Sequence, residues 1–300
     1  MNPARLRAYL LLLTVVVIWG VAPSVIKFAL GELPPFLFLS YRFLITTVVV
    51  FPFFYGSKNK GLTLANLPLI ILISVLGSTL NLGLLFYGSN LTTSLDQSLI
   101  SATSPILVVI AGVWFFKEHL TKREKIGIAI TFLGTLIVTL QSFFERGGVA
   151  APSVVGNIII FLSDVAFTAY LLISKKALRL GISPITITFM MFFVGLLTCL
   201  PLALTEISLS EIPMKIMTIK PLTHLSVIYM SLVSGALGYT LYQKAQKTIE
   251  ASEAAVFTYL TPLITAPVGV LWLHEELTVP FIIGSIVIAC GVILAEWKKK

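Results

Sequence analysis

Ten apolar stretches, each about 20 residues or longer, follow one another along this 300-residue chain. A membrane-spanning helix needs about 20 apolar residues. Charged residues make up only 11% of the chain, too few to cover a soluble domain of this size. The sequence therefore predicts an all-α integral membrane protein of ten transmembrane helices and excludes a soluble enzyme. The segments are 8–30, 34–55, 64–88, 93–116, 122–143, 153–175, 182–204, 221–247, 251–273 and 278–297.

The basic residues predict how the chain is oriented. Of the 21 Lys and Arg residues, 16 fall on one side of the predicted membrane and 4 on the other, while Arg42 lies within a segment. Because Lys and Arg collect on the cytoplasmic side, both chain ends are predicted to be cytoplasmic. The short tails favour a bacterial inner membrane over a eukaryotic organelle. The net charge of +8 thus reflects topology, and no nucleic-acid partner is expected.

The second half of the chain repeats the first. Proline and glycine mark special backbone positions, so their joint recurrence indicates duplication. The sequence predicts one unit over residues 1–149, with segments one to five, and a second over 150–300. Since five is odd, the second unit is inverted in the membrane, an arrangement used for alternating access. The superposed pairs are Trp19 and Phe167, Lys27 and Lys175 (shift 148), Pro35 and Pro184 (shift 149), and Pro105 and Pro262, Glu118 and Glu275, Gly127 and Gly284, and Gly134 and Gly291 (shift 157).

Short motifs recur in both halves of the chain. They are Trp19-Gly20 with Lys27, Thr92-Thr93-Ser94, Thr103-Ser104-Pro105, Glu118-His119-Leu120-Thr121, Ala251-Ser252, Leu260-Thr261-Pro262 and Glu275-Glu276-Leu277-Thr278. These motifs resemble the EamA unit of the drug/metabolite transporter superfamily. The resemblance implies a ten-helix inner-membrane carrier that exports amino acids or related metabolites through a cavity between its halves. It places Trp19, Asn81, Tyr170, Tyr239 and Gln243 on helices that line this cavity.

Two charged residues lie deep within the predicted segments. Asp164 is about 16 Å into the sixth and Arg42 about 12 Å into the second, at 1.5 Å per residue. An ionisable group at such depth is costly and points to function. Asp164 could take up a proton or attract a substrate ammonium group, and Arg42 could hold a carboxylate or phosphate. The alternative is that the two side chains simply pair with each other.

Two prolines predict breaks in the fourth and ninth segments. Pro105 and Pro262 free the carbonyl groups of Ser101 and Thr258, four residues earlier. Freed carbonyls at membrane depth face protein or a water-filled cavity. Together with Ser101 and Thr258, the neighbouring Gln97 and Tyr259 are therefore candidates for hydrogen bonds to substrate. Polar contacts between helices are the alternative.

Other polar residues of these segments favour structural roles. Lys27 and Lys175 lie close enough to helix ends to extend to the membrane surface, with a charge at the cavity mouth as the alternative. Ser94 and Gln97 fit a capping box at the start of the fourth segment.

The sequence as a whole predicts a secondary transporter of small metabolites. We expect a small-molecule substrate and the lipid bilayer as partners, with protons as a candidate coupling ion. No catalytic residue, metal or cofactor is expected, because metalloprotease and hydrolase motifs are absent from the chain. A channel or facilitator is the alternative, as is a transporter of nucleobases, sugars or anionic metabolites. The sequence selects neither one substrate nor an oligomeric state.

Overall fold

The structure is a computed structural model that describes residues 3–57, 61–116, 122–146, 152–249, 254 and 257–296. Within these ranges all regular secondary structure is helical. The helices are α1 (Pro3–Leu30), α2 (Pro35–Gly56), α3 (Leu67–Leu91), α4 (Ser94–Ser101), α5 (Ser104–Phe116), α6 (Lys122–Arg146), α7 (Pro152–Arg179), α8 (Pro184–Glu206), α9 (Ile212–Thr218), α10 (Pro221–Thr248), α11 (Thr261–Leu273) and α12 (Val279–Glu296). Proline opens α1, α2, α7, α8 and α10, a position at which its missing N–H leaves no helical bond unmade.

Within the described ranges, six helices are long and apolar enough to cross a membrane, namely α1, α2, α3, α7, α8 and α10. The shortest of them, α2, has 22 residues and is about 33 Å long, against about 30 Å for the hydrocarbon core. Shorter apolar stretches lie within α6, α11 and α12. The protein is therefore a multi-pass membrane protein. Where the structure describes them, the predicted segments fall on helices, with the fourth divided between α4 and α5 and the ninth including the 3-10 turn Phe257–Leu260.

The two predicted proline breaks are confirmed. α4 ends at Ser101 and α5 begins at Ser104, directly before Pro105. In the intervening turn, the Thr103 hydroxyl donates to the Ile100 carbonyl oxygen at 2.7 Å. In the ninth segment a 3-10 turn, Phe257–Leu260, precedes α11, and Pro262 lies in the first turn of that helix. Both breaks lie beside polar residues of the predicted site, namely Ser101 and Thr258.

Two long helices contain π-helical stretches. In α3 the stretch is Val75–Leu82, and in α10 it is Tyr229–Tyr239. A shift of 157 residues carries Leu82 onto Tyr239, so both stretches end at the same repeat position. Segments of this kind are frequent at functional sites. Here they include Asn81 and Ser234, which line the cavity described below.

The start of α4 is capped one residue earlier than the sequence pattern predicts. The Thr93 side chain accepts from the Asp96 backbone N–H at 3.0 Å, so the predicted Ser94–Gln97 capping box is wrong. The Glu275 carboxylate adds a second cap from a distant part of the chain. It accepts from the backbone N–H groups of Ser94 and Leu95 at 2.7 and 3.0 Å. A carboxylate at this position satisfies two unpaired donors and complements the helix dipole.

Lys27 and Lys175 bind the ends of neighbouring helices. Lys27 Nζ donates to the carbonyl oxygens of Ser89 and Asn90, at the end of α3, at 3.2 and 3.3 Å. Lys175 Nζ donates to the carbonyl oxygens of Gln246 and Ile249, at the end of α10. The expected extension of Lys175 to the membrane surface is wrong, since the residue is buried. An ammonium group here satisfies carbonyls that the helix leaves without partners.

Four glycines bring α6 and α12 into close contact. A Cβ on Gly134 would lie 3.0 Å from the Gly284 carbonyl oxygen, and one on Gly291 would lie 2.7 Å from that of Gly127. Only a residue without a side chain permits backbones to approach so closely. The shift of 157 residues exchanges the two contacts with each other, because it carries Gly127 onto Gly284 and Gly134 onto Gly291.

The helices of the first 146 residues pack mainly against those that follow. α2 packs on α8, α6 on α12 and α4 on α11. α1 packs on α10 and α11, while α7 makes the corresponding contacts with α3 and α5. The space enclosed by α1, α3, α4, α7 and α10 holds the site described next.

Candidate functional site

A cavity of about 120 Å³ lies between α1, α2, α3, α4, α7, α10 and the turn before α11. It is formed by the second halves of α1 and α3 and the first halves of α2 and α7. It therefore lies toward the end of the molecule at which α10 begins. Eight of the eleven residues predicted for the site line it, namely Trp19, Arg42, Asn81, Gln97, Ser101, Asp164, Tyr239 and Thr258.

Two of the other three predicted residues, Tyr170 and Gln243, do not line the cavity. Tyr170 and Gln243 lie behind its wall, where the Gln243 side-chain amide donates to the Tyr170 hydroxyl at 2.6 Å. Tyr170 packs edge-to-face on Tyr239, with ring centroids 6.1 Å apart, and so supports a residue that does line it. Tyr259 lies in the 3-10 turn, and its side chain falls outside the described part of the structure.

Arg42 is buried in the wall of the cavity. Its side chain is 1% exposed, and its Nε and Nη1 atoms have no hydrogen-bond partner among the described residues. The guanidinium lies over the rings of Phe86 and Phe192, at 5.5 and 5.7 Å from their centroids. Ring faces stabilise a cation but accept no strong hydrogen bond. The guanidinium thus has donors that no protein group among the described residues takes up.

Asp164 lies in the same wall on α7. It is 4% exposed, and its Oδ2 atom has no hydrogen-bond partner. The hydroxyls of Ser101 and Ser104, at the break between α4 and α5, lie beside its carboxyl group. No ion pair joins Asp164 to Arg42, so the alternative of simple pairing is wrong. The cavity wall therefore holds an acidic and a basic side chain that do not pair with each other.

Amide and hydroxyl groups complete the polar wall. Gln97 accepts from the Ser89 hydroxyl at 2.7 Å, which fixes its side chain. Asn81 donates to the Gly77 carbonyl oxygen at 3.4 Å and lies beside Tyr239. Because Ser89 and Asn81 both lie on α3, this helix and its π-helical stretch help to position the polar side chains of the wall.

Aromatic residues close the far end of the cavity. The Trp19 indole N–H donates to the Ser234 carbonyl oxygen at 3.2 Å. Its ring lies 5.2 Å from those of Tyr239 and Tyr242, and 6.1 Å from that of Phe167, its repeat counterpart. A Cβ on Gly238 would lie 2.8 Å from the indole nitrogen, so this residue leaves space for Trp19. We call Trp19, Phe167, Tyr239 and Tyr242 the aromatic layer. It lies on the side of the cavity toward the end at which α7 and α10 finish.

Several lining residues were not predicted. Apolar side chains make up much of the wall, including Ile26, Leu85, Phe86 and Met230. An apolar residue in an apolar segment carries no local signal that distinguishes a cavity wall from lipid. The repeat offers the only sequence signal, since Phe167 is the counterpart of Trp19.

The profile of the EamA-like transporter family matches this chain twice, over residues 6–140 and 154–297. The chain belongs to the EamA-like transporter family. Family membership makes the protein a transporter, and within the described residues no cluster of His, Cys, Asp or Glu could hold a metal ion.

Relatives of this EamA-like transporter span nearly its whole length. An uncharacterized transporter of Bacillus subtilis, YyaM, is 25% identical, with 97% of this chain and 94% of the relative covered. An uncharacterized transporter of Archaeoglobus fulgidus is also 25% identical, over 98% of both chains. A probable amino-acid metabolite efflux pump of Salmonella typhimurium is 26% identical, over 94% and 92%. One crystal structure shares the fold, with a TM-score of 0.66 and 17% identity over 96% of each chain.

Proposed function

We propose that this transporter exports small zwitterionic metabolites, most directly amino acids or related compounds. The observation that carries the proposal is that Arg42 and Asp164, both buried and both with unpartnered polar atoms, line one cavity. A guanidinium binds a carboxylate through two parallel hydrogen bonds, and a carboxylate attracts an ammonium group. The relative in Salmonella typhimurium, a probable amino-acid metabolite efflux pump, supports this substrate class.

We also propose that the chain is built from two inverted five-helix repeats, over residues 1–149 and 150–300. The two separate family matches support this division. So do Lys27 and Lys175, which bind the ends of α3 and α10 in equivalent ways. The reciprocal glycine contacts between α6 and α12 supply a third line of support. Such repeats allow a central site to be exposed to each side of the membrane in turn.

In the proposed orientation both chain ends lie in the cytoplasm and the protein lies in the inner membrane. The distribution of Lys and Arg supports it, with 16 on one side and 4 on the other. The cavity then lies on the non-cytoplasmic half, beyond the layer formed by Trp19 and Tyr239. For an exporter, the non-cytoplasmic side is the side on which substrate is released, and the cavity lies toward it. Substrate can shift the equilibrium between the two states only if it binds them with different affinities.

Efflux from liposomes tests the proposal. The purified protein is reconstituted, loaded with a mixture of labelled amino acids, and assayed with and without an inward proton gradient. We expect saturable efflux of a subset of amino acids that zwitterionic compounds inhibit. Flux that does not saturate would indicate a channel, and competition by neutral solutes alone would contradict the zwitterion proposal. A gradient effect would identify protons as the coupling ion.

A further inference from the structure

A second group of buried polar side chains begins at the aromatic layer, to which Tyr242 belongs, and continues toward the end of α10. We call Ser174 on α7, with Tyr242, Gln243 and Gln246 on α10, the α7–α10 polar cluster. Each is at most 1% exposed. Within the part of the chain that the structure describes, the Tyr242 hydroxyl, the Gln243 side-chain oxygen and both amide atoms of Gln246 have no hydrogen-bond partner. None of these four residues lines the cavity described above.

Packing alone does not account for this cluster. A buried polar atom without a partner destabilises the state in which it occurs, whereas an apolar side chain of the same shape would not. On α10, Gln246 follows Gln243 by three residues and Tyr242 by four, so it shares a helix face with each of them. That face points toward α7, as the bond between Gln243 and Tyr170 shows. The cluster therefore forms a polar surface that faces α7 and is closed to solvent in this structure.

The repeat relates this closed surface to the open cavity. A shift of 148 residues carries Ile26 onto Ser174, and a shift of 157 carries Leu85 onto Tyr242. The same shift of 157 carries Phe86 onto Gln243. The three first-half residues all line the cavity. The cluster therefore occupies, in the second half, the place that the open wall occupies in the first.

We propose that the α7–α10 polar cluster is a second substrate subsite, which opens at the end of the molecule where α10 finishes when the first cavity closes. The inference rests on the proposed transport function, because two inverted halves exchange open and closed arrangements. Its ligand is the uncharged polar part of a small solute, since the cluster offers amide and hydroxyl groups. The equivalent wall of the first cavity is apolar, so the two states recognise the solute through different chemistry.

Accessibility of a single cysteine tests whether the surface opens. Cys199 and Cys290 are replaced by alanine, and Ser174→Cys is exposed to a membrane-impermeant maleimide from either face of the membrane. Leu209→Cys, exposed in the loop after α8, marks the face at which α10 begins. We expect Ser174→Cys to react only from the opposite face and its counterpart Ile26→Cys only from the Leu209 face. A Ser174→Cys protein that transports normally and never reacts would overturn the proposal.

A pair of matched substitutions on α10 separates a subsite from a packing role. The Tyr229 hydroxyl donates to the Ile18 carbonyl oxygen at 2.6 Å, whereas the Tyr242 hydroxyl is unpartnered. We expect Tyr229→Phe to lower Tm by about 2–4 °C and to leave the efflux of labelled amino acids unchanged. Tyr242→Phe should keep Tm and slow that efflux by about fivefold, the factor that one hydrogen bond is worth.

An unchanged rate in Tyr242→Phe would overturn the subsite. Failure of the proposed function would look different, since the unsubstituted chain would then release no labelled amino acid. The maleimide reaction needs no known substrate, so it reports on the cluster in either case.

Discussion

Arg42 and Asp164 line the same cavity from α2 and α7 and form no ion pair. Each is held beside neutral groups instead, Arg42 by two aromatic rings and Asp164 by two serine hydroxyls. Two opposite charges that are buried in one cavity wall and left unpaired destabilise the empty protein relative to a pair. On the proposed function, a ligand with both charges would remove that cost and so link binding to the choice of conformation.

Neutralising Arg42 should separate stability from transport. In Arg42→Gln we expect Tm to hold or rise, because an unpaired buried cation is lost, while amino-acid efflux falls by about tenfold or more, as for loss of a charge-assisted hydrogen bond. Liposome efflux and thermal unfolding of the same preparation measure both. Lys176→Gln, at an exposed cation, is the matched control. Normal efflux from Arg42→Gln would remove Arg42 from the site.

Asp164→Asn keeps the shape of the side chain and removes its charge. We expect efflux of amino acids to fall by about tenfold or more, because the ammonium group loses its charged partner. Any stimulation by a proton gradient should disappear as well. Glu211→Gln, at an exposed carboxylate, is the control. Full gradient-dependent transport in Asp164→Asn would show that this carboxylate carries no proton.

The glycine contacts between α6 and α12 should tolerate no side chain. Gly291→Val places Cβ against the Gly127 carbonyl oxygen, and we expect a loss of about 1–3 kcal/mol in the free energy of unfolding, as for overpacked cores. Unfolding in detergent measures it. Gly56→Val serves as the comparison, since no atom lies within 4 Å of a Cβ built there. Equal stability of the two variants would contradict close packing of these helices.

Glu32 should make stability depend on pH. The Lys220 side chain pairs with it at 2.9 Å and the Thr223 hydroxyl donates to it at 2.7 Å. The hydrogen bond from Lys220, followed by that from Thr223, lowers the pKa of Glu32 from 4.5 to about 2. Between these values the unfolded chain binds more protons, so the stabilisation is lost as pH falls.

The comparison with Glu32→Gln follows from that shift. We expect a difference in Tm that is full above about pH 5 and shrinks as pH falls toward about 2. Thermal unfolding across this range measures it. A difference that stays constant with pH would assign the effect to something other than ionisation of Glu32.

The sequence predicted the helical segments well, because each one needs only a run of apolar residues. The breaks before Pro105 and Pro262 could also be predicted from the sequence, since proline interrupts a helix locally. The roles of Lys27 and Lys175 were missed, because their partners are backbone carbonyls that carry no residue identity. The cap on α4 from Glu275 could not be predicted from a local pattern either, because Glu275 lies 181 residues from Ser94 in the chain.

Within the site, the polar residues were easier to predict than the apolar ones. Arg42 and Asp164 stand out in an apolar segment whatever surrounds them. The π-helical stretch before Asn81 left no pattern, because it changes backbone hydrogen bonding and not composition. Tyr170 was placed on the correct helix but lies behind the wall, since helix membership alone does not specify the direction of a side chain.

The glycine-mediated contact of α6 with α12, like that of α2 with α8, joins segments far apart in the chain. Residues 1–149 alone would leave those faces without a partner inside the membrane. A second copy inserted upside down would cover them, because the contacts are reciprocal. On the proposed inverted repeat, the two halves correspond to an antiparallel dimer joined covalently, and we expect co-expression of residues 1–149 and 150–300 as separate polypeptides to restore the complete assembly.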